Sequence, residues 1–577
     1  MTRRRVLLAL AAVVVLASAF VCYQAWQVQR DLTKAEASVD DLTAAIDSGD
    51  AAARKQAIMD LQDAAQSAEE RTDGPLWGAL TKLPAFGDDA EAVRALSASL
   101  SMVATDGVGP LSDSITDLDR VSVGGRIDID LIEDLQDPVS QARSAFEAAA
   151  AEVDNIDCSG CVGALQPRFD EYVERVDEAA SALASTETAT RALPDMLGAS
   201  GPRDYLLIFQ NNAEIRATGG MPGSWAQLHA EDGELEMVKQ GTAGDFPMTA
   251  QPVLPLTDEE VAVYGKEIST YFQDPGFTPD FPRAGALWRA HWERKFPDTP
   301  IDGVIALDPV AMSYLIDGTG PVSVGGTTLT RQNLVEELLN RPYLELDTSA
   351  QDELFKEAAR EIFDAITGDL QSPVDLVRGL SKAAEESRLL VAPFAEQDAA
   401  ALADSNVLGA MGGDSETTPY VDIGLNDATG SKMSYYLRYW ADVRAVSCTG
   451  GTQELEASMS LSQAIAPAEA AKLPPSVTGG GNYGTEPGSQ LVIVRLYGPA
   501  GGKIQDIKID GKEMKPSRDL QLDGRPVVFL AMILETRNDV VVTWSMTAGI
   551  GQTGDGTVDV TPGVQPGNKS SSFASAC

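Results

Sequence analysis

The stretch YLLIFQNNAEIRATGGMPGSW, Tyr205 to Trp225, runs from an apolar segment into two amides, a carboxylate, an arginine and a double glycine. Its first half has the β-branched and aromatic content of a strand, and the glycines announce a reversal. Upstream, LPDMLGASGPRD is a proline- and glycine-rich hinge. Downstream, SWAQLHA, EDG and ELEMVKQ read as a hairpin with an acidic turn. FPRAGALWRAHWERKF then carries apolar residues at helical spacing after a first-turn proline, and IDGVIALDPVAMSYLIDGTGPVSV reads as strand, helix and turn. With further helices expected near 331–339 and 352–366, this order of strand, hairpin, helix, strand and helix predicts an α/β layer domain over residues 193–412.

On either side the character changes. Residues 413–577 hold runs such as ELEASMSLS, SQLVIVRLYG and RPVVFLAMIL between glycine-rich turns, which predicts an all-β, sandwich-like domain. Before the hinge, Val28, Leu32, Ala35, Val39, Leu42 and Ile46 form one helical stripe that ends at DSGD, and residues 31–192 read as a helical stalk or bundle. Packing against neighbouring helices is the favoured use of that stripe, with self-association through the stalk as the alternative. Residues 1–30 begin MTRRR and continue with about 21 uncharged, mostly apolar residues from Val6 to Trp26. That length matches the roughly 30 Å hydrocarbon layer, so one transmembrane helix is expected, with the arginines cytoplasmic and the bulk of the chain extracytoplasmic.

A formal charge of -42 gives no positive footprint for nucleic acid. Of the five cysteines, Cys22 lies in the apolar run and the other four suit an oxidising compartment, paired as Cys158 with Cys161 and Cys448 with Cys577. His229 and His291 are the only histidines, which speaks against a histidine-based hydrolase or metal centre. The concentration of arginines in one domain is what remains: Arg203, Arg216, Arg283, Arg289, Arg294, Arg341 and Arg360. Guanidinium forks match phosphate oxygens in pairs, so convergence of several would suit a diphosphate. Asn211 and Asn212 stand at the carboxyl end of a strand, and Gly219 and Gly220 would let backbone approach a ligand. The plainer alternative is that Glu214 pairs with Arg216 and the asparagines cap a turn.

The motifs QNNAExRxxGG and DGVIAxDP, with PDFPRAGALW and NDATGSKMSYYLRY, resemble the bacterial envelope family labelled domain of unknown function 4012. The order of strand, Arg216 turn, hairpin and QGTAGDF is more distantly similar to LytR-CpsA-Psr enzymes. That resemblance implies a LytR-CpsA-Psr-like fold in which arginines clamp the pyrophosphate of a polyprenyl-linked glycopolymer, acidic residues hold magnesium, and the polymer passes to peptidoglycan. Arg216 matches the family's first arginine and Arg341 a later one, while Asp245 answers for an acid and Glu214 or Asp204 could supply a carboxylate. Arg283 and Arg360 enter on the arginine count alone. QGTAGDF lacks the expected arginine, and Ala217 and Thr218 replace an aspartate. The expected function is therefore phosphotransferase-like handling of a cell-wall glycopolymer; the alternative is non-catalytic binding or scaffolding in envelope polysaccharide assembly.

Overall fold

A computed structural model describes residues 3–83, 86–114, 121–123, 125–403, 405–412, 417–481, 484–536, 539–565 and 571–577. The chain divides into two units, Met1–Val121 with Asp130–Arg191, and Ser122–Ile129 with Ala192–Cys577.

The first unit is helical because its sequence is rich in alanine with apolar residues at spacings of three and four. Helix α1 (Arg3–Asp47) ends where Gly49 takes φ +68, and Asp50 then caps α2 (Ala51–Thr72) by accepting from Ala52 N and Ala53 N at 3.0 Å. The stripe on α1 packs within the chain: Ala35 lies with Leu61, Ala64 and Ala65, and Val28 with Trp77 and Ala90. Helices α3 (Gly87–Met102), α4 (Ile129–Asp154) and α5 (Gln166–Met196) follow. Between α4 and α5, Cys158 and Cys161 are disulfide-bonded and pack on Ala92, Ala95 and Phe169.

The expected membrane span, with its single-pass orientation, is corrected. Among the described residues, no helix is long and apolar enough to cross a membrane. Helix α1 continues without a break into Val28 and Ala35, which are buried against neighbouring helices; the side chains of residues 3–19 lie outside the described residues.

The second unit is built on strands β1 (Arg203–Arg216), β2 (Gly219–Glu231), β3 (Glu234–Thr242), β4 (Gly303–Leu307) and β5 (Leu389–Pro393). With the short hairpin Ser122–Val123/Arg126–Ile127 at one edge, they form a seven-stranded sheet in the order hairpin, β3, β2, β1, β4, β5. Only β1 with β4 is parallel among these pairings. YLLIF is apolar throughout because both faces of β1 are covered. Leu206 and Ile208 meet Trp288 and Trp292 of α6 (Phe281–Lys295), while Tyr205 and Leu207 belong to the cluster formed by α7 (Pro309–Thr319), α8 (Thr348–Thr367) and α9 (Pro373–Glu385).

The same unit continues into two further sheets. Strands β6 (Tyr420–Asp427), β9 (Gln490–Tyr497), β12 (Leu520–Leu522), β13 (Arg525–Leu534), β15 (Gly556–Val560) and β16 (Ser571–Phe573) form one sheet in the order β12, β13, β9, β6, β15, β16. The other runs β7 (Leu437–Thr449), β8 (Thr452–Gln463), β14 (Val540–Thr547), β10 (Lys503–Ile509), β11 (Lys512–Glu513). Alternation along β8 sends Leu455, Ala457 and Met459 inward to a core shared with Val421, Ile423 and Leu425 of β6, and leaves Glu454 and Glu456 in solvent. A disulfide joins Cys448, at the end of β7, to Cys577.

These layers also correct the expected LytR-CpsA-Psr-like architecture. A pyrophosphate clamp at the Arg216 turn would need that turn open to ligand. Instead Arg216 is buried, bonded to Glu214 at 3.0 Å and to Ile215 O at 3.0 Å, while Ala217 donates its N–H to Asn426 at 3.1 Å and its carbonyl accepts from Thr561 at 3.2 Å.

Candidate functional site

The carboxyl end of β1 is irregular. Its ladder with β2 shifts between Phe209 and Gln210 and again between Asn211 and Ile215, so Asn212, Ala213 and Glu214 bulge out of register. The double glycine makes this possible. A Cβ on Gly220 would lie 2.4 Å from Asn211 C and Asn212 N, and one on Gly219, at φ +125, would lie 2.5 Å from Gln210 Oε1. Both glycines thus make room for the protein's own strand, not for a ligand.

The bulge separates the polar side chains. Asn211 donates to the Tyr343 hydroxyl and lines a cleft of about 380 Å³ with Phe209, Met312, Leu339, Phe355, Ala359 and Lys432 among its walls. Asn212, wholly buried, donates to Asp308 Oδ2 at 2.7 Å. Asp308 is also the N-cap of α7, accepting from Ala311 N at 2.7 Å, and takes a third bond from Arg388 at 2.8 Å. The two asparagine and aspartate motifs are therefore locked to each other.

Glu214 is buried between two cations, with Arg216 Nη2 at 3.0 Å and Lys432 Nζ bonded to its other oxygen. Burial alone would raise its carboxyl, but Lys432 and then Arg216 outweigh this and hold it below the usual range. For Lys432 burial is likewise outweighed, by Glu214, and the ammonium is held above its ordinary value. Arg216 also donates to Ile215 O at 3.0 Å and Asp427 O at 3.4 Å, and its guanidinium lies 4.9 Å from the Phe277 ring centre. Its Nε has no partner among the described residues, yet Arg216 does not line the cleft. Nearby, burial pushes Asp274 up to about 6.

The remaining arginines do not converge on this place. Arg203 begins β1, at the far end from Arg216, beside Asp302 at 3.6 Å. Arg283 is held by Glu260 at 2.6 Å and Pro255 O at 2.8 Å. Arg341 is exposed between Glu337 and Glu345, and Arg360 beside Glu361. Asp245 spends its carboxylate on a capping box, accepting from Thr242 N at 2.9 Å. His229 faces Asp204 at 3.4 Å, and His291 is buried against Phe272. Among the described residues no group of three or more histidines, cysteines or acids could hold a metal, so magnesium has no such site among them. Tyr343, Lys432, Asp308 and Arg388 escaped the sequence reading. The Asp-Pro pair in IALDP was a legible helix start, but its buried partners were not.

What the arrangement offers is a cleft with mostly apolar walls, neutral amides and hydroxyls, the Asp352 carboxylate and, among the described residues, one cation, Lys432, that already has a carboxylate. Residues 200–343 match the family described as Protein of unknown function (DUF4012). No curated protein and no solved structure matches the chain, and a relation to LytR-CpsA-Psr enzymes has no support from these comparisons.

Proposed function

We propose that this chain is a non-catalytic binding protein of cell-envelope polysaccharide assembly, which holds the isoprenoid part of a polyprenyl-linked glycan in the cleft beside Asn211. The observation that carries this reading is the cleft itself: about 380 Å³ of mostly apolar walls at the carboxyl end of the central strand. That volume lies in the range of small-ligand sites, about 300–1,000 Å³, where a few polar groups orient an apolar body. Asn211, Tyr343 and Lys432 supply those groups. Two disulfides suit an oxidising compartment. Phosphoryl transfer is the weaker reading, because it depends on converging cations, and Arg203, Arg283, Arg341 and Arg360 each face a separate acid.

The test is calorimetric titration of the full chain with farnesol, farnesyl phosphate and inorganic pyrophosphate. Farnesol and farnesyl phosphate should bind alike, inorganic pyrophosphate should not bind, and Met221→Trp, on the half-buried cleft wall, should weaken both isoprenoids. Absence of farnesol binding sinks the proposal. Binding of pyrophosphate alone would return the transferase reading.

A further inference from the structure

A strand at the edge of a sheet presents a row of unpaired backbone groups that invites pairing with another chain, and folded proteins blunt such edges with charges, prolines, bulges or short length. The free edges of the second unit show these devices. β3 carries Glu236 and Lys239 along its free part, and β7 carries Asp442 and Arg444 and breaks register between Ala445 and Ser447. The free part of β10 holds Lys503 and Asp506 and breaks register between Gln505 and Lys508, while β5 ends in Pro393. β13 has none of these protections over most of its length.

On one side β13 pairs with β9 from Val527 to Leu534. On the other, β12 reaches only Arg525, Pro526 and Val527. Residues 528–534, VFLAMIL, are therefore a free edge without a charge, a proline or a bulge. Gly498 donates its N–H to Pro526 O at 2.9 Å, which makes these opposed residues a hydrogen-bonded pair of the β9–β13 ladder. Alternation then turns the backbone groups of Val528, Leu530, Met532 and Leu534 toward β9, and those of Phe529, Ala531 and Ile533 toward the free side. Among the described residues no backbone group bonds to residues 528–534 from that side.

The side chains match the open backbone. Val528, Leu530, Met532 and Leu534 are buried in the core between the two sheets, whereas Phe529, at 41%, Ile533, at 53%, and Ala531 are exposed beside the half-buried Leu491 and Ile493 of β9. The residues that aim donors and acceptors outward are thus the same ones whose side chains are exposed. An edge of this kind fits a strand that is apolar on both faces, and β13 is itself such a strand. Turned by a twofold axis through Ala531, perpendicular to the sheet, a second copy meets it antiparallel. Ala531 then opposes Ala531 of the second copy and Phe529 opposes its Ile533, each pair able to exchange both backbone bonds. The small residue lies at the axis, and Leu530 falls opposite Met532 of the second copy, so apolar character continues on both faces. The net charge of -42 opposes self-association, but residues 526–534 carry none of it, and salt screens charges more than about 10 Å apart at 0.1 M. We propose that two copies of this chain associate through residues 528–534 of β13, joining their six-stranded sheets edge to edge in a closed dimer.

Sedimentation velocity of the full chain, from the low to the high micromolar range, tests this. A monomer–dimer equilibrium should appear and should strengthen as sodium chloride is added. Ala531→Lys sets like charges opposite each other at the axis and should weaken association by about tenfold or more. Its melting temperature at low concentration should equal that of the unaltered chain, because the side chain at 531 is exposed. Under mild oxidation Ala531→Cys should yield a disulfide-linked dimer, since hydrogen-bonded partners across a ladder have Cα atoms about 5.5 Å apart, within disulfide reach. Lys503→Cys, at an exposed position on the charged edge of β10, should not. A chain that stays monomeric across the whole range overturns the proposal. So does a dimer that forms equally well in Ala531→Lys, which would place the contact elsewhere, or growth beyond the dimer, which would make the contact open rather than closed.

Discussion

Two neighbouring regions of one strand end have opposite characters. Around Asn211 the wall is mostly apolar and leaves space, whereas Glu214 and Arg216 are buried and paired with each other, with Lys432 on the second carboxylate oxygen. Lys432 touches both, lying 5.2 Å from the Tyr343 ring centre on the cleft side and bonded to Glu214 on the other. The difference teaches that a cluster of functional-looking residue types can be mainly a joint. The bulge turns Asn211 toward the cavity and Asn212 and Glu214 toward buried partners, so ligand space and structural charge are separated within four residues.

The sharpest way to break this comparison is Glu214→Ala. It strands Arg216 and Lys432 without their shared carboxylate, and a buried charge so uncompensated costs roughly 3–5 kcal/mol, measurable by urea denaturation of the second unit. The sign of its pH dependence follows from its lowered carboxyl. The stabilisation is present above the ordinary carboxylate range and disappears as pH falls through and below it; Glu214→Gln should flatten that acid limb. Should Glu214→Ala leave stability unchanged, the joint is not structural and Arg216 becomes available to a ligand.

Gly220→Ala comes next. A Cβ 2.4 Å from the Asn211–Asn212 peptide forces the strand ends apart, and overpacking of this kind costs about 1–3 kcal/mol. Asn212→Ala removes one of three bonds to Asp308 and leaves part of that carboxylate unpaired, a loss of roughly 1–2 kcal/mol by the same measurement. The Asn211→Ala variant should instead lower isoprenoid affinity with a smaller effect on folding, since its side chain lines the open cleft.

For Asp422, a buried aspartate of β6, the linkage has the other sign. Burial, and then the Asp559 charge, raise its folded-state carboxyl, so stability is fullest at acid pH and declines as pH rises from the ordinary carboxylate value toward the raised one. Asp422→Asn should therefore raise the melting temperature in mildly alkaline buffer and leave it unchanged in acid. The smallest effect is expected for Arg341→Ala, an exposed residue between two glutamates on its own helical surface, with no change in folding or in isoprenoid binding. A large loss of isoprenoid binding in that variant would reopen the phosphate-clamp reading.

Much of the local structure was legible. DSGD broke the first helix because glycine adopts positive φ and aspartate caps, and ELEASMSLS showed which face of β8 is buried through its period of two. Asp308 could be recognised as a helix start from its proline. The arginines misled for a physical reason: a guanidinium's role depends on which carboxylate reaches it, and composition counts the arginines without placing the acids. Arg203, Arg283, Arg341 and Arg360 share a domain yet pair with separate acids.

By itself the sequence determined the alternation of helix and strand, the turns, the cysteine complement and the motifs of the DUF4012 region, since these depend on neighbours a few residues away. Only the tertiary structure decided what those motifs touch. Lys432 meets Glu214 across 218 positions, Tyr343 meets Asn211 across 132, and Asp308 meets Asn212 across 96. Such pairings are set by how layers pack and by where burial makes an unpaired charge too costly, and neither is visible along a single chain.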